Sequence, residues 1–203
     1  MRIAIEGPVG NLEARWTEAK SSIEVTALLC HPHPQYGGSM QDAVLETSAN
    51  VLLDHGISCV RFNFRGVGAS AGQYDNGIGE VDDLIAAHAW VRREYPAHDI
   101  WLLGYSFGAN IVWRAQEALA PSHTILVAPP VGMMTFTESN TPASVYAIAG
   151  DRDDFVKESS LQDLLHDQAH IIPGADHFFS GYHRELADAV GQAIAPALQR
   201  PDG

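Results

Sequence analysis

The sequence contains no run of about 18 apolar residues, so it offers no segment that could cross a bilayer as a helix. Positive charge is scarce as well: 12 Lys and Arg stand against 25 Asp and Glu, for a formal net charge of −13. That balance would repel a phosphate backbone, and no run of Lys or Arg along the chain offers a footprint, which argues against nucleic acid as a partner. Nothing points to a membrane partner either. Cysteine is limited to Cys30 and Cys59, each in or at the end of an apolar, β-like run. Neither has a second ligand at metal-binding spacing, so both read as free buried thiols. The ten histidines include no His-Glu-x-x-His pair or comparable spacing, and no metal site is expected of them. The stretch Met1 to Glu6 reaches charge and a Gly-Pro turn before a secretory core could form, which makes a cytoplasmic location the expectation.

What is present is a regular alternation of short apolar runs and helix-spaced stretches over 203 residues, 46% of them hydrophobic. Residues 1–203 read as one domain. Two short strands, 2–6 and 11–18, are expected to form a hairpin through Gly7 and Pro8, with Leu12, Ala14 and Trp16 alternating along an exposed edge. Further strands are predicted at 23–30, 57–64, 100–103, 124–128, 144–149 and 169–172. Helices are predicted from Met40 to His55 with Ser39 as N-cap, from Ile78 to Tyr95, after Gly108, from Glu158 to His166, and finally through Leu186 and Val190 to an end or kink near Pro196. Strand and helix alternate, so the fold class is α/β, a mostly parallel twisted sheet with helices on both faces. In such sheets ligands bind outside the carboxyl ends of the strands, where this sequence puts its distinctive polar loops.

One of those loops is Gly104-Tyr-Ser-Phe-Gly108, which follows Ile100-Trp-Leu-Leu103 and opens a helix. Strand, tight turn and helix in that order make a nucleophile elbow, with Ser106 on the turn. A serine hydroxyl is a poor nucleophile without a base, and His177, in the loop after the last strand, is the candidate. His88 lies on an apolar helix face and reads as a core histidine. A carboxylate must orient the imidazole, and Asp153 is favoured within the acidic loop Gly150 to Val156, with Asp151 in reserve and the unused neighbour expected to cap the next helix. The order Ser106, Asp153, His177 differs from the two common protease orders. Met133, Met134 and Phe136, with Phe178, either line an acyl pocket or pack their loop onto the body. The glycines of 66–72 form a loop with no Lys-Ser/Thr after it, a weak signal for nucleotide.

Three segments carry a resemblance: His31 to Met40 as His-Pro-x-x-x-x-Gly-Gly-x-Met, Phe62 to Ser70 as Phe-Asn-Phe-Arg-Gly-x-Gly-x-Ser, and the elbow at Gly104 to Gly108. In that order they resemble the α/β-hydrolase superfamily, in particular its small lidless bacterial serine hydrolases, over nearly the whole chain. The resemblance implies an α/β-hydrolase fold without a cap domain, consistent with the short link between Ala128 and Ser144. It also implies an oxyanion hole made by two backbone N–H groups. The first is that of Phe107, and Tyr36 is favoured for the second because Pro32 and Pro34 have none. The expected reaction is hydrolysis of a small-molecule carboxylic ester or thioester through an acyl-enzyme, with no cofactor and no metal. A peptidase of short peptides using the same residues, and a catalytically silent binding protein, are the alternatives.

Overall fold

The computed structural model describes residues 1–137 and 144–199. Eight strands form one sheet: β1 (Arg2–Gly7), β2 (Gly10–Thr17), β3 (Val25–Cys30), β4 (Ser58–Phe62), β5 (Asp99–Tyr105), β6 (His123–Val127), β7 (Val145–Gly150) and β8 (Ala169–Ile172). Their spatial order is β1-β2-β4-β3-β5-β6-β7-β8. β1 and β2 are antiparallel, β2 runs antiparallel to β4, and every later pairing is parallel. All six residues of β3 are buried, as expected of a strand covered on both faces. β2 pairs on both sides, and Leu12, Ala14 and Trp16 are buried beneath a helix instead of marking an edge. Their alternation came from a two-sided strand with one face in the core; β1 is the edge.

Helices α1 (Ala43–Asp54) and α5 (His183–Leu198) cover one face, and α2 (Ile78–Glu94), α3 (Phe107–Leu119) and α4 (Glu158–Leu165) the other. α1 starts three residues later than Met40. Asp42, not Ser39, is its cap, because the Asp42 carboxylate accepts from the Val44 N–H at 2.8 Å. Pro196 lies inside α5 and does not end it. Among the described residues no helix stands between β6 and β7, and the expected loop of 133–140 extends, at 138–140, outside the described residues.

The order reverses at β3. The chain leaves β3 through α1 to β4 on one side, then returns through α2 to β5 on the other. The loops after β3 and β5 therefore diverge from neighbouring strand ends and leave a crevice between them. The Phe-Asn-Phe-Arg segment after β4 holds this region from behind. Asn63 accepts the Met40 N–H at 2.8 Å and donates to Glu13 at 2.9 Å. The Arg65 guanidinium pairs with buried Asp83 of α2, donating to its carboxylate oxygens at 2.8 and 3.1 Å, while Asp83 also accepts the Arg65 backbone N–H at 2.9 Å. Burying such a pair is costly unless its hydrogen bonds are met, and here they are. The motif's polar residues are thus structural.

Candidate active site

Ser106 follows β5 and precedes α3 with φ 54° and ψ −116°, a left-handed backbone for a residue with a side chain. Such strain persists only where the surroundings enforce it. The Ser106 N–H donates to Val127 O at 2.9 Å, and its carbonyl accepts the Ala109 N–H at 2.9 Å. A side chain at Gly104 would strike the backbone of Gly108, and one at Gly108 would strike the carbonyl groups of Cys30 and His31. The two glycines let β5, α3 and the end of β3 converge, which projects the serine hydroxyl from the sheet edge.

Three sequence-predicted residues meet at this point. The Ser106 hydroxyl lies 2.9 Å from His177 Nε2, and His177 Nδ1 lies 2.7 Å from Asp153 Oδ2. With a carboxylate on Nδ1, the hydrogen-bond pattern puts the ring proton there and leaves Nε2 to accept from the hydroxyl. The other Asp153 oxygen accepts the N–H groups of Phe155 at 2.9 Å and Val156 at 3.2 Å, so the carboxylate is fixed at both ends. Asp151 has a different task. It does not cap α4 but accepts the Gly174 N–H at 2.6 Å, tying the acid loop to the histidine loop.

The loop after β3 is anchored by a histidine. His31 is fully buried, accepts the Phe64 N–H on Nε2 at 3.0 Å and donates from Nδ1 to Pro32 O at 2.7 Å. Burial holds its pKa down to about 4, so the ring is neutral. Next along, His33 accepts the Gln35 N–H on Nδ1 and meets the Tyr74 hydroxyl with Nε2 at 3.1 Å, with its ring 4.9 Å from Phe107. Burial lowers its pKa too. Tyr36 departs from expectation as an oxyanion donor. Its N–H is spent on His33 O at 3.1 Å within a turn of 3₁₀ helix, and the residue is 87% exposed. Neither the N–H of Phe107, first residue of α3, nor that of His33, whose ring packs on Phe107, has an acceptor among the described residues.

Around His177, itself 8% exposed, stand the rings of Phe155 at 4.6 Å, Phe178 at 5.4 Å and Tyr105 at 5.7 Å. Phe178 is 61% and Met133 69% exposed, and the Gly132 N–H reaches Phe155 O at 3.3 Å, which brings the Met133 turn beside the acid loop. Met134 and Phe136 instead pack onto the core, with Phe136 5.9 Å from the Trp113 ring. Asn110 and Trp113 of α3 donate to Thr135 O and Thr137 O, which fastens that segment to the body. Sequence reading missed Phe155, Tyr105 and His33. Only Phe155 carried a signal, as an aromatic two residues beyond the favoured acid. Among the described residues no group of three His, Cys, Asp or Glu is arranged to hold a metal.

A mostly parallel sheet that reverses at β3, with a serine elbow after β5, an acid after β7 and a histidine after β8, defines an α/β-hydrolase. The family described as alpha/beta hydrolase fold matches residues 33–146, more than half of the sequence, and the chain belongs to it. It is similar to XC6422 of Xanthomonas campestris, described as an α/β serine hydrolase without a lid, with 37% identity, 100% of this chain and 96% of that one covered, and a TM-score of 0.92. An α/β serine hydrolase homologue from Coxiella burnetii shares 39% identity over 96% of this chain and 97% of its own, with a TM-score of 0.90. The protein RP471 of Rickettsia prowazekii is 36% identical over 95% of this chain and 88% of its own length. Among the described residues no helical cap is inserted between the strands. No helix among the described residues is long and apolar enough to cross a membrane.

Proposed function

We propose that the protein is a serine hydrolase of carboxylic esters, thioesters included, acting through an acyl-enzyme. The observation that carries the reading is the unbroken series Ser106–His177–Asp153, with bonds of 2.9 and 2.7 Å, on a strained elbow. Ser106 attacks the carbonyl carbon as His177 Nε2 takes its proton. The tetrahedral intermediate collapses, and the same proton passes from His177 to the departing alcohol or thiol. Water repeats the sequence from the other side and releases the acid. Asp153 holds the ring in the productive tautomer and stabilises its charged form. The N–H groups of Phe107 and His33 receive the oxyanion, Phe107 aided by the positive end of α3. No step calls for a metal or cofactor.

Exposed apolar side chains at the rim, Phe178, Met133 and Phe155, favour an apolar acyl group laid in an open cleft over a small molecule enclosed on all sides. A fluorophosphonate probe is expected to label Ser106, and Ser106→Ala to remove both labelling and turnover of an aryl ester. Well-folded protein that resists the probe, or a Ser106→Ala variant as active as wild type, would falsify the assignment. A panel of aryl esters and acyl thioesters graded by chain length reads the acyl preference, and equal rates on peptidyl amides would move the substrate class to peptides.

A further inference from the structure

Three arginines that lie far apart in this acidic chain converge on one face of the sheet. Arg2 of β1 stands opposite Arg15 of β2, and Arg15 stands opposite Arg61 of β4, so the register sets three guanidinium groups in a row across three strands. Together with Met40, Gln41 and Glu46 they line a cavity of about 170 Å³. Like charges directly opposite each other across strands are destabilising. Yet among the described residues no carboxylate lies within 4.0 Å of any of the three. Arg61 is only 9% exposed, and its guanidinium has neither an ion pair nor a hydrogen-bonded partner among those residues. The stem of Arg61 is packed away while its head reaches the cavity, and a guanidinium held in this way is commonly paired with a carboxylate. This one faces an open space, and Glu46, in the first turn of α1, is the one acid in the wall.

We propose that the cavity is an anion-binding site that takes the phosphate group of a small soluble molecule. It shares no lining residue with the site at Ser106. Guanidinium groups offer planar forks of donors that match phosphate oxygens, and the Gln41 amide adds a neutral donor at the rim. At ~30 Å³ per water, the cavity holds about six waters, room for a phosphate group and a short attached residue. A soluble ligand is favoured over a lipid headgroup because the net charge of −13 opposes adsorption to an anionic bilayer. A bound phosphate replaces mutual repulsion along the row with charge-assisted hydrogen bonds.

Thermal unfolding measured while inorganic phosphate replaces chloride at constant ionic strength tests this, with calorimetric titration of the same anion. Wild-type Tm is expected to rise with phosphate, as it does for any ligand that binds the folded state alone. Arg61→Gln and Arg15→Gln are each expected to weaken phosphate binding at least tenfold, and Glu46→Gln to tighten it. In phosphate-free buffer Arg61→Gln is expected to match or exceed wild-type stability, because the repulsion is relieved. Exposed Arg15 tests the site without entering the core. A wild type indifferent to phosphate, or an equal rise in wild type and both arginine variants, would overturn the site. Sedimentation with phosphatidylglycerol vesicles but no response to inorganic phosphate or glycerol phosphate would overturn the soluble ligand.

Discussion

The phenol of Tyr105 donates to the carbonyl oxygen of His177 at 3.0 Å, a buried bond between residues 72 positions apart. Tyr105 immediately precedes Ser106, so one strand end positions both the hydroxyl and the histidine loop that meets it. Burial raises the phenol's pKa well above its ordinary value, and it stays protonated as a donor.

Tyr105→Phe keeps the ring and removes only that donor. The buried carbonyl it leaves behind costs roughly 1–3 kcal/mol of stability, and the imidazole loses a restraint. A fall in kcat of about tenfold on an aryl ester, equivalent to about 1.4 kcal/mol in the barrier, is expected with KM unchanged. Steady-state kinetics at saturating and limiting ester separate the two, and an unaltered kcat would assign the restraint to the rest of the loop.

The two neighbouring acids are expected to separate sharply. Asp153→Asn replaces the acceptor at His177 Nδ1 with a group that can favour the wrong tautomer, and kcat is expected to fall on the order of 10⁴-fold. Asp151→Asn touches only the Gly174 N–H tie and is expected to keep kcat within a few-fold of wild type while lowering Tm by a few degrees. Comparable losses in both would place the orienting role elsewhere in the loop.

His31 couples stability to acid. Its pKa is about 4 in the folded protein against 6.5 for an ordinary histidine, so between those values the unfolded chain binds the extra proton. The neutral ring's contribution is complete above pH 6.5 and is lost as pH falls toward 4, by on the order of 3 kcal/mol in all. Urea unfolding across that window is expected to show a steeper decline in wild type than in His31→Gln. Equal slopes would remove His31 as the source.

Much of this was readable before any coordinates. Ser106, Asp153 and His177 each sit where a strand gives way to glycine-rich or acidic loop, and local pattern reveals such boundaries. What failed depended on partners distant in sequence. Leu12, Ala14 and Trp16 alternate in the same way whether a strand has one neighbour or two, and only the pairing with β4 settles it. Tyr36 looked available as a donor because a turn's internal hydrogen bond leaves no trace in composition. Met134 and Phe136 could not be told from pocket residues until Trp113 of α3 appeared beneath them. The arginine row was invisible for the same reason, its members belonging to three separate strands.

The site's three groups come from the ends of β5, β7 and β8, and that has a consequence for the nascent chain. With Ser106 as nucleophile, the base it needs is encoded 71 residues later and the carboxylate 24 residues before that base. At synthesis rates of roughly 5–20 residues per second, about 4–14 s separate the emergence of the serine from that of the histidine. Throughout that interval the hydroxyl lacks the imidazole that meets it in the folded protein. The Ser106–His177 pair therefore forms only once the segment after the last strand has emerged, and a truncated chain ending before β8 cannot assemble it.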